Sequence, residues 1–223
     1  MTTRVAPTRT TAYRVRVVGL PNAAAAIKLD VVPIATTTTV TERQSGVTLT
    51  LTGAVSETRT RGPLANVSVP VQVKWYGASA WTTLGEATST ITGTLGYTYR
   101  MTTRAGTFRF AYPGSPGTYA PATAASVFVK VPTKVTATVR RGSPNTLTAI
   151  AATSSGTRLG SVLMRLQRRT STRAWASVAG YQASATGVAV AKTRPGRRTY
   201  YRWVLPATAT RNRAVSGTVM VYR

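Results

Sequence analysis

Tyr200-Tyr201-Arg202-Trp203-Val204-Leu205 decides how the rest of the chain reads, because its pattern occurs three times. An aromatic residue, then Arg, then an apolar residue also stands at Ala12-Tyr13-Arg14-Val15-Arg16-Val17 and at Thr107-Phe108-Arg109-Phe110-Ala111-Tyr112. With Tyr13, Phe108 and Tyr201 taken as equivalent, the copies lie 95 and 93 residues apart. Apolar side chains two residues apart fit one face of a strand, since successive side chains alternate across a sheet. A period of this length is that of a whole β-sandwich domain, far longer than a short solenoid unit.

The flanking sequence keeps step. A loop of Pro, Ala and small residues follows each copy and leads into a last alternating strand: Ile27-Lys28-Leu29-Asp30-Val31, Val127-Phe128-Val129-Lys130-Val131 and Val219-Met220-Val221-Tyr222-Arg223. Upstream, Val71-Gln72-Val73-Lys74-Trp75-Tyr76 is matched to Val162-Leu163-Met164-Arg165-Leu166-Gln167, and each copy then carries Ala-Trp, at Ala80-Trp81 and Ala174-Trp175. Turn residues between the apolar runs place strands near 36–41, 46–53, 68–76, 80–84, 89–93, 96–102, 106–112 and 124–131. The same reading places the next set near 134–140, 145–152, 161–168, 174–178, 186–192, 199–205 and 214–222. No helical period competes. The expected fold is all-β: tandem antiparallel β-sandwiches of immunoglobulin-like type, with an incomplete N-terminal repeat.

Three units follow: 1–33 as the C-terminal hairpin of a truncated repeat, 34–132 as one sandwich and 133–223 as a second, strongly basic one. A lone hairpin leaves Val15, Val17, Ile27 and Leu29 without a core. The expectation is therefore a longer polypeptide with further repeats and an export signal upstream. Thr36-Thr37-Thr38-Thr39, running into the first strand of the second module, and Val131-Pro132-Thr133 read as short linkers between repeats, holding the modules in a semi-rigid, extended and monomeric array within a longer chain.

Composition removes several functions. With no Cys and no His, thiolate chemistry, disulfides, Cys/His zinc sites and the Ser-His-Asp triad all disappear. The only carboxylate side chains are Asp30, Glu42, Glu57 and Glu86, too few and too scattered for a calcium site or a glycosidase pair. Lys134 and Lys192 lack the motif context of a Ser-Lys base. No catalytic residue, metal or cofactor is expected. No run of 18 apolar residues marks a transmembrane helix.

Leu163-Met164-Arg165-Leu166-Gln167-Arg168-Arg169, Trp175 with Val178, Gly187 and Arg198-Thr199-Tyr200-Tyr201-Arg202 together form a pattern across residues 133–223. It resembles the tandem immunoglobulin-like or fibronectin-III-like modules of exported actinobacterial proteins, over about residues 35–223. The resemblance implies spacer, stalk, adhesive or wall-binding roles at the cell surface, and no shared catalytic residues.

Charge distinguishes the last repeat. The chain carries 29 basic against 4 acidic side chains, a net of +25. Residues 1–33 hold +4 of this, residues 34–132 hold +5, and residues 133–223 hold +16 with no acidic side chain at all. If Met164 and Leu166 face inward, Arg165 and Arg169 face outward; if Tyr201 and Trp203 face inward, so does Arg202 face outward. Neighbouring strands would then gather Arg165, Arg169 and Arg202 into one basic face, with Arg168, Arg173, Arg197 and Arg198 at its rim. Guanidinium forks suit phosphate and carboxylate. The partner this implies is an anionic cell-wall polymer or glycan in preference to nucleic acid, for which no recognition motif is present. Tyr13, Phe108, Phe110, Tyr201, Trp203, Trp81 and Trp175 are all read as core.

Overall fold

The structure is a computed structural model that describes residues 33–170 and 174–222, and the backbone of 11–16 and 24–29. Among the described residues every regular element is a strand. Strands β1 (Thr11–Arg16) and β2 (Ala24–Leu29) pair antiparallel. There follow β3 (Thr36–Thr38), β4 (Thr41–Ser45), β5 (Thr48–Glu57), β6 (Ser68–Trp75), β7 (Thr82–Thr88), β8 (Thr94–Arg100), β9 (Gly106–Tyr112), β10 (Ala122–Thr123) and β11 (Val127–Val129). The last set is β12 (Thr133–Arg140), β13 (Asn145–Thr153), β14 (Leu163–Arg169), β15 (Ala176–Gln182), β16 (Val188–Thr193), β17 (Thr199–Leu205), β18 (Ala214–Val215) and β19 (Val219–Val221).

These strands build two sandwiches. In the upstream one, β3 and β4 lie along β5 with β8 on its other edge, facing a sheet ordered β10-β9-β6-β7 with β11 on β9. In the downstream one, β12-β13-β16 faces β15-β14-β17-β18, with β19 on β17. Alternation supplies each core. Leu49, Leu51, Val69, Val71, Val73, Leu95, Phe108 and Phe110 are fully buried in the upstream cluster. The downstream cluster combines Leu147, Met164, Leu166, Tyr201 and Trp203 with the small residues Ala149, Ala151, Ala189 and Ala191. Each large side chain removed from water contributes about 1.5–3 kcal/mol. The core assignment of Phe108, Phe110, Tyr201 and Trp203 holds; the side chain of Tyr13 lies outside the described residues.

The closing strands of the three copies pair in equivalent register. Tyr13 pairs with Ile27, Phe108 with Val127, and Tyr201 with Val219. These are the residues that sequence alignment made equivalent, so the three closing hairpins share one register.

Three expectations on strands need correction. Thr36–Thr38, expected both as linker and as the start of the strand over 36–41, is strand throughout and pairs with Val55–Glu57. The single strand expected over 36–41 is broken into β3 and β4. The strands expected at 80–84 and 89–93 are one strand, β7, followed by a turn. Thr90 Oγ1 accepts from the Thr94 amide at 3.1 Å and caps that turn, and Gly93 sits at φ +74°. Gly187, at φ +75°, makes the same turn downstream, with the Ser184 hydroxyl accepting from the Val188 amide. A Cβ would meet the Val55 carbonyl at 2.6 Å from Gly93, and the Ala151 carbonyl at 2.8 Å from Gly187. Hydroxyl turn chemistry and a required glycine override the β-propensity of Thr-Ile-Thr.

Candidate anion-binding surface

β14 and β17 are neighbours, with Arg165 opposite Val204, Gln167 opposite Arg202, Arg168 opposite Tyr201 and Arg169 opposite Tyr200. Met164 and Leu166 are buried, which turns Arg165, Gln167 and Arg169 to the outer face together with Tyr200 and Arg202. Arg165, Arg169 and Arg202 therefore share that face.

That face has a second constituent, and it corrects the reading of the tryptophans. Trp175 is only partly buried and belongs to no core cluster. The Arg202 Cζ lies 4.3 Å and the Arg169 Cζ 4.8 Å from its ring centroid. Trp81 is likewise partly buried, with Arg109 Cζ at 3.8 Å and Lys74 Nζ at 5.3 Å from its ring. Both indoles are outer-face platforms for cations, whose attraction to the ring quadrupole is worth about 0.5–2 kcal/mol. In each sandwich the arginine is also held by a glutamine opposite it. Arg202 Nε donates to Gln167 Oε1 at 2.8 Å, and Arg109 Nε donates to Gln72 Oε1 at 2.9 Å.

This repeated cassette shows that the upstream sequence match slips by four residues. Gln72 corresponds to Gln167, so Val71 matches Leu166 and Lys74 matches Arg169. A β-bulge supports the corrected register. The pairing of β6 with β7 skips Leu84, and that of β14 with β15 skips Val178, in both cases three residues after the tryptophan.

The remaining arginines divide. Arg198 lies over Tyr200, its Cζ 5.4 Å from the ring, and its Nε donates to Met220 Sδ at 2.8 Å. Arg168 and Arg197, in contrast, leave the face and line a cleft of about 420 Å³ at the end of the sandwich, together with Arg169, Arg194, Thr199 and Tyr201. Arg173 lies outside the described residues. Sequence reading missed Arg194, which sits in the β16–β17 loop where no period assigns a direction, and the exposed Arg213. The Arg202 guanidinium is held below its ordinary pKa by burial, then by the charges of Arg213 and Arg169. Arg169 Nε is buried and, among the described residues, has no hydrogen-bond partner. Among the described residues no group of three or more acidic side chains gathers to hold a metal, and no helix is long and apolar enough to cross a membrane.

The described strands define an all-β fold of antiparallel sandwiches. No family model matches the chain, and no curated protein matches it. Among solved structures it is similar to the FN1–FN3 domains of chicken CNTN1, at 14% identity and a TM-score of 0.31, over 94% of this chain and 75% of that one. It is also similar to the human OSCAR ligand-binding domain, at 12% identity and a TM-score of 0.29, over 83% of this chain and 98% of that one. Likeness at this level carries no functional residue across.

Proposed function

We propose that the chain is a non-catalytic spacer array from an exported bacterial cell-surface or cell-wall protein, its sandwiches setting a distance between other parts. The junction between them carries this reading. Gln44 donates from Nε2 to the Lys130 carbonyl at 3.1 Å and accepts at Oε1 from Asn212 Nδ2 at 3.0 Å. Lys130 Nζ donates to the Thr208 carbonyl at 2.9 Å, and Ser155 Oγ to the Thr102 carbonyl at 3.3 Å. Side-chain bonds on both sides of so short a connection favour a fixed spacing over free swing. Small-angle scattering of the whole chain tests it. The expected result is one narrow distribution of dimensions that broadens in Gln44→Ala. A broad distribution for the unsubstituted protein would remove the spacer reading, and recovery of the native protein from cytosol alone would remove the surface location.

A second reading is favoured by charge: the downstream sandwich binds an anionic cell-envelope polymer. Its support is that no acidic side chain follows Glu86, so its arginines have no carboxylate side chain of their own sandwich to pair with. Binding of the whole chain to wall preparations, teichoic acid and DNA across a salt series measures this. Retention of a wall polymer at physiological salt is expected. Binding of every polyanion alike at low salt, with release of all of them as salt rises, would reduce the charge to a general stickiness.

A further inference from the structure

The two sandwiches close their equivalent ends in opposite ways. Upstream, Val73 stands opposite Phe108 and is fully buried. Beyond it Trp75 packs edge-on against Phe108 with centroids 6.1 Å apart, Tyr99 lies 5.9 Å from the same ring, and Met101 is fully buried. That end is an apolar plug. Downstream, the residue at the Val73 position is Arg168, opposite the buried Tyr201. Residues directly opposite in an antiparallel pair point to the same side, so Arg168 is directed toward the interior face at the mouth of the sandwich. There it meets Arg194 and Arg197 from the β16–β17 loop and Arg169 across the cleft of about 420 Å³.

Arg168 takes the place of a buried valine but is itself exposed to solvent, as are Arg194 and Arg197. Bringing three further guanidinium groups to the same cleft adds like-charge repulsion. The outer-face arginines have intramolecular partners: Trp175 and Gln167 for Arg202, Tyr200 and Met220 for Arg198. Arg168, Arg194 and Arg197 have no such side-chain partner among the described residues. Among the described residues no carboxylate side chain lines this cleft to balance their charge.

We propose that this cleft, and not the flat outer face, is the anion site of the molecule, and that it takes a phosphodiester group of a flexible polyol-phosphate chain. The inference rests on the reading that the downstream sandwich binds an anionic envelope polymer, and locates and identifies that binding. Several guanidiniums around one small volume suit phosphate, whose oxygens accept forked bonds from more than one arginine. A carboxylate is saturated by one or two such partners. The cleft is too small for a duplex, yet open enough for a single flexible chain. Arg202 becomes a structural residue, bound to Trp175 and Gln167 as Arg109 is bound to Trp81 and Gln72.

Calorimetric titration of the whole chain with poly(glycerol phosphate), at an ionic strength of about 150 mM, tests the proposal. Two variants of equal charge are compared: Arg194→Gln with Arg197→Gln in the cleft, and Arg165→Gln with Arg213→Gln on the exposed face. The cleft pair is expected to weaken binding at least about tenfold, and the face pair less than about threefold. Arg168→Val, which installs the upstream residue, is expected to abolish binding while the thermal midpoint stays equal or rises. Equal losses for the two pairs would overturn the cleft and leave a diffuse polyanion surface. No binding by the unsubstituted protein would overturn the envelope-polymer reading with it. Tighter binding of polyglutamate or of single-stranded DNA than of poly(glycerol phosphate) would overturn the phosphodiester assignment to a polyol chain. Competition by inorganic phosphate separates the polymer from the free ion, and full displacement at equimolar phosphate would assign the cleft to the ion instead.

Discussion

The upstream and downstream sandwiches share their mechanics and differ in their electrostatics. Both carry an outer tryptophan stacked on an arginine that a glutamine holds, both skip a residue in the neighbouring strand three positions after that tryptophan, and both turn through a left-handed glycine. What differs is charge. Upstream, Glu57 accepts from the Thr60 hydroxyl and Glu86 from the Ser68 hydroxyl. Downstream there is no carboxylate side chain, and an arginine occupies a position that upstream is core. Features present in both belong to the fold. The feature present in one is where a specific function is to be sought.

The comparison is broken most severely at the core. Trp203→Ala removes the largest fully buried side chain and is expected to destabilise the downstream sandwich by about 3–5 kcal/mol. Denaturant unfolding followed at the upstream tryptophans should stay in place while the downstream transition moves. Should both move together, the sandwiches fold as one cooperative unit. Gly187→Ala ranks next, at about 1–3 kcal/mol, since it combines a disfavoured φ with contact on the Ala151 carbonyl. Gly93→Ala should match it upstream, and a harmless substitution at either would break the equivalence of the two turns. The smallest effect sharpens the cassette. A double-mutant cycle of Arg202→Lys with Trp175→Ala should give a coupling of about 0.5–1.5 kcal/mol, echoed by Arg109 with Trp81. A cycle with no coupling in either sandwich would make the stacking incidental.

The closing hairpins were legible because aromatic, Arg and apolar residues recur at strand spacing with little insertion between copies. The match of β6 to β14 was not, for a reason built into sheets. Their side-chain period is two, so a slip of four residues leaves every residue on its proper face and the pattern equally satisfied. The bonds that Arg109 donates to Gln72 and Arg202 donates to Gln167, with the bulges in the neighbouring strands, fix the register. Trp175 precedes the first residue of β15, where alternation assigns no side, and hydrophobicity alone directed it to the core. Arg168 was placed at the rim of an outer face because its neighbours Arg165 and Arg169 lie on that face; one step of alternation from Arg169 turns it the other way. Arg194 stands in a loop, beyond the reach of any periodic argument.

The lining of the downstream cleft includes guanidinium, hydroxyl and phenol groups but neither imidazole nor carboxylate. Guanidinium keeps its proton across the whole range in which cells live, so acidity has no lever on this opening. Mild acidification that releases histidine-based contacts leaves it charged, and neutral pH does not weaken it. Its control passes to the ionic medium, through the concentration of salt and of competing multivalent anions.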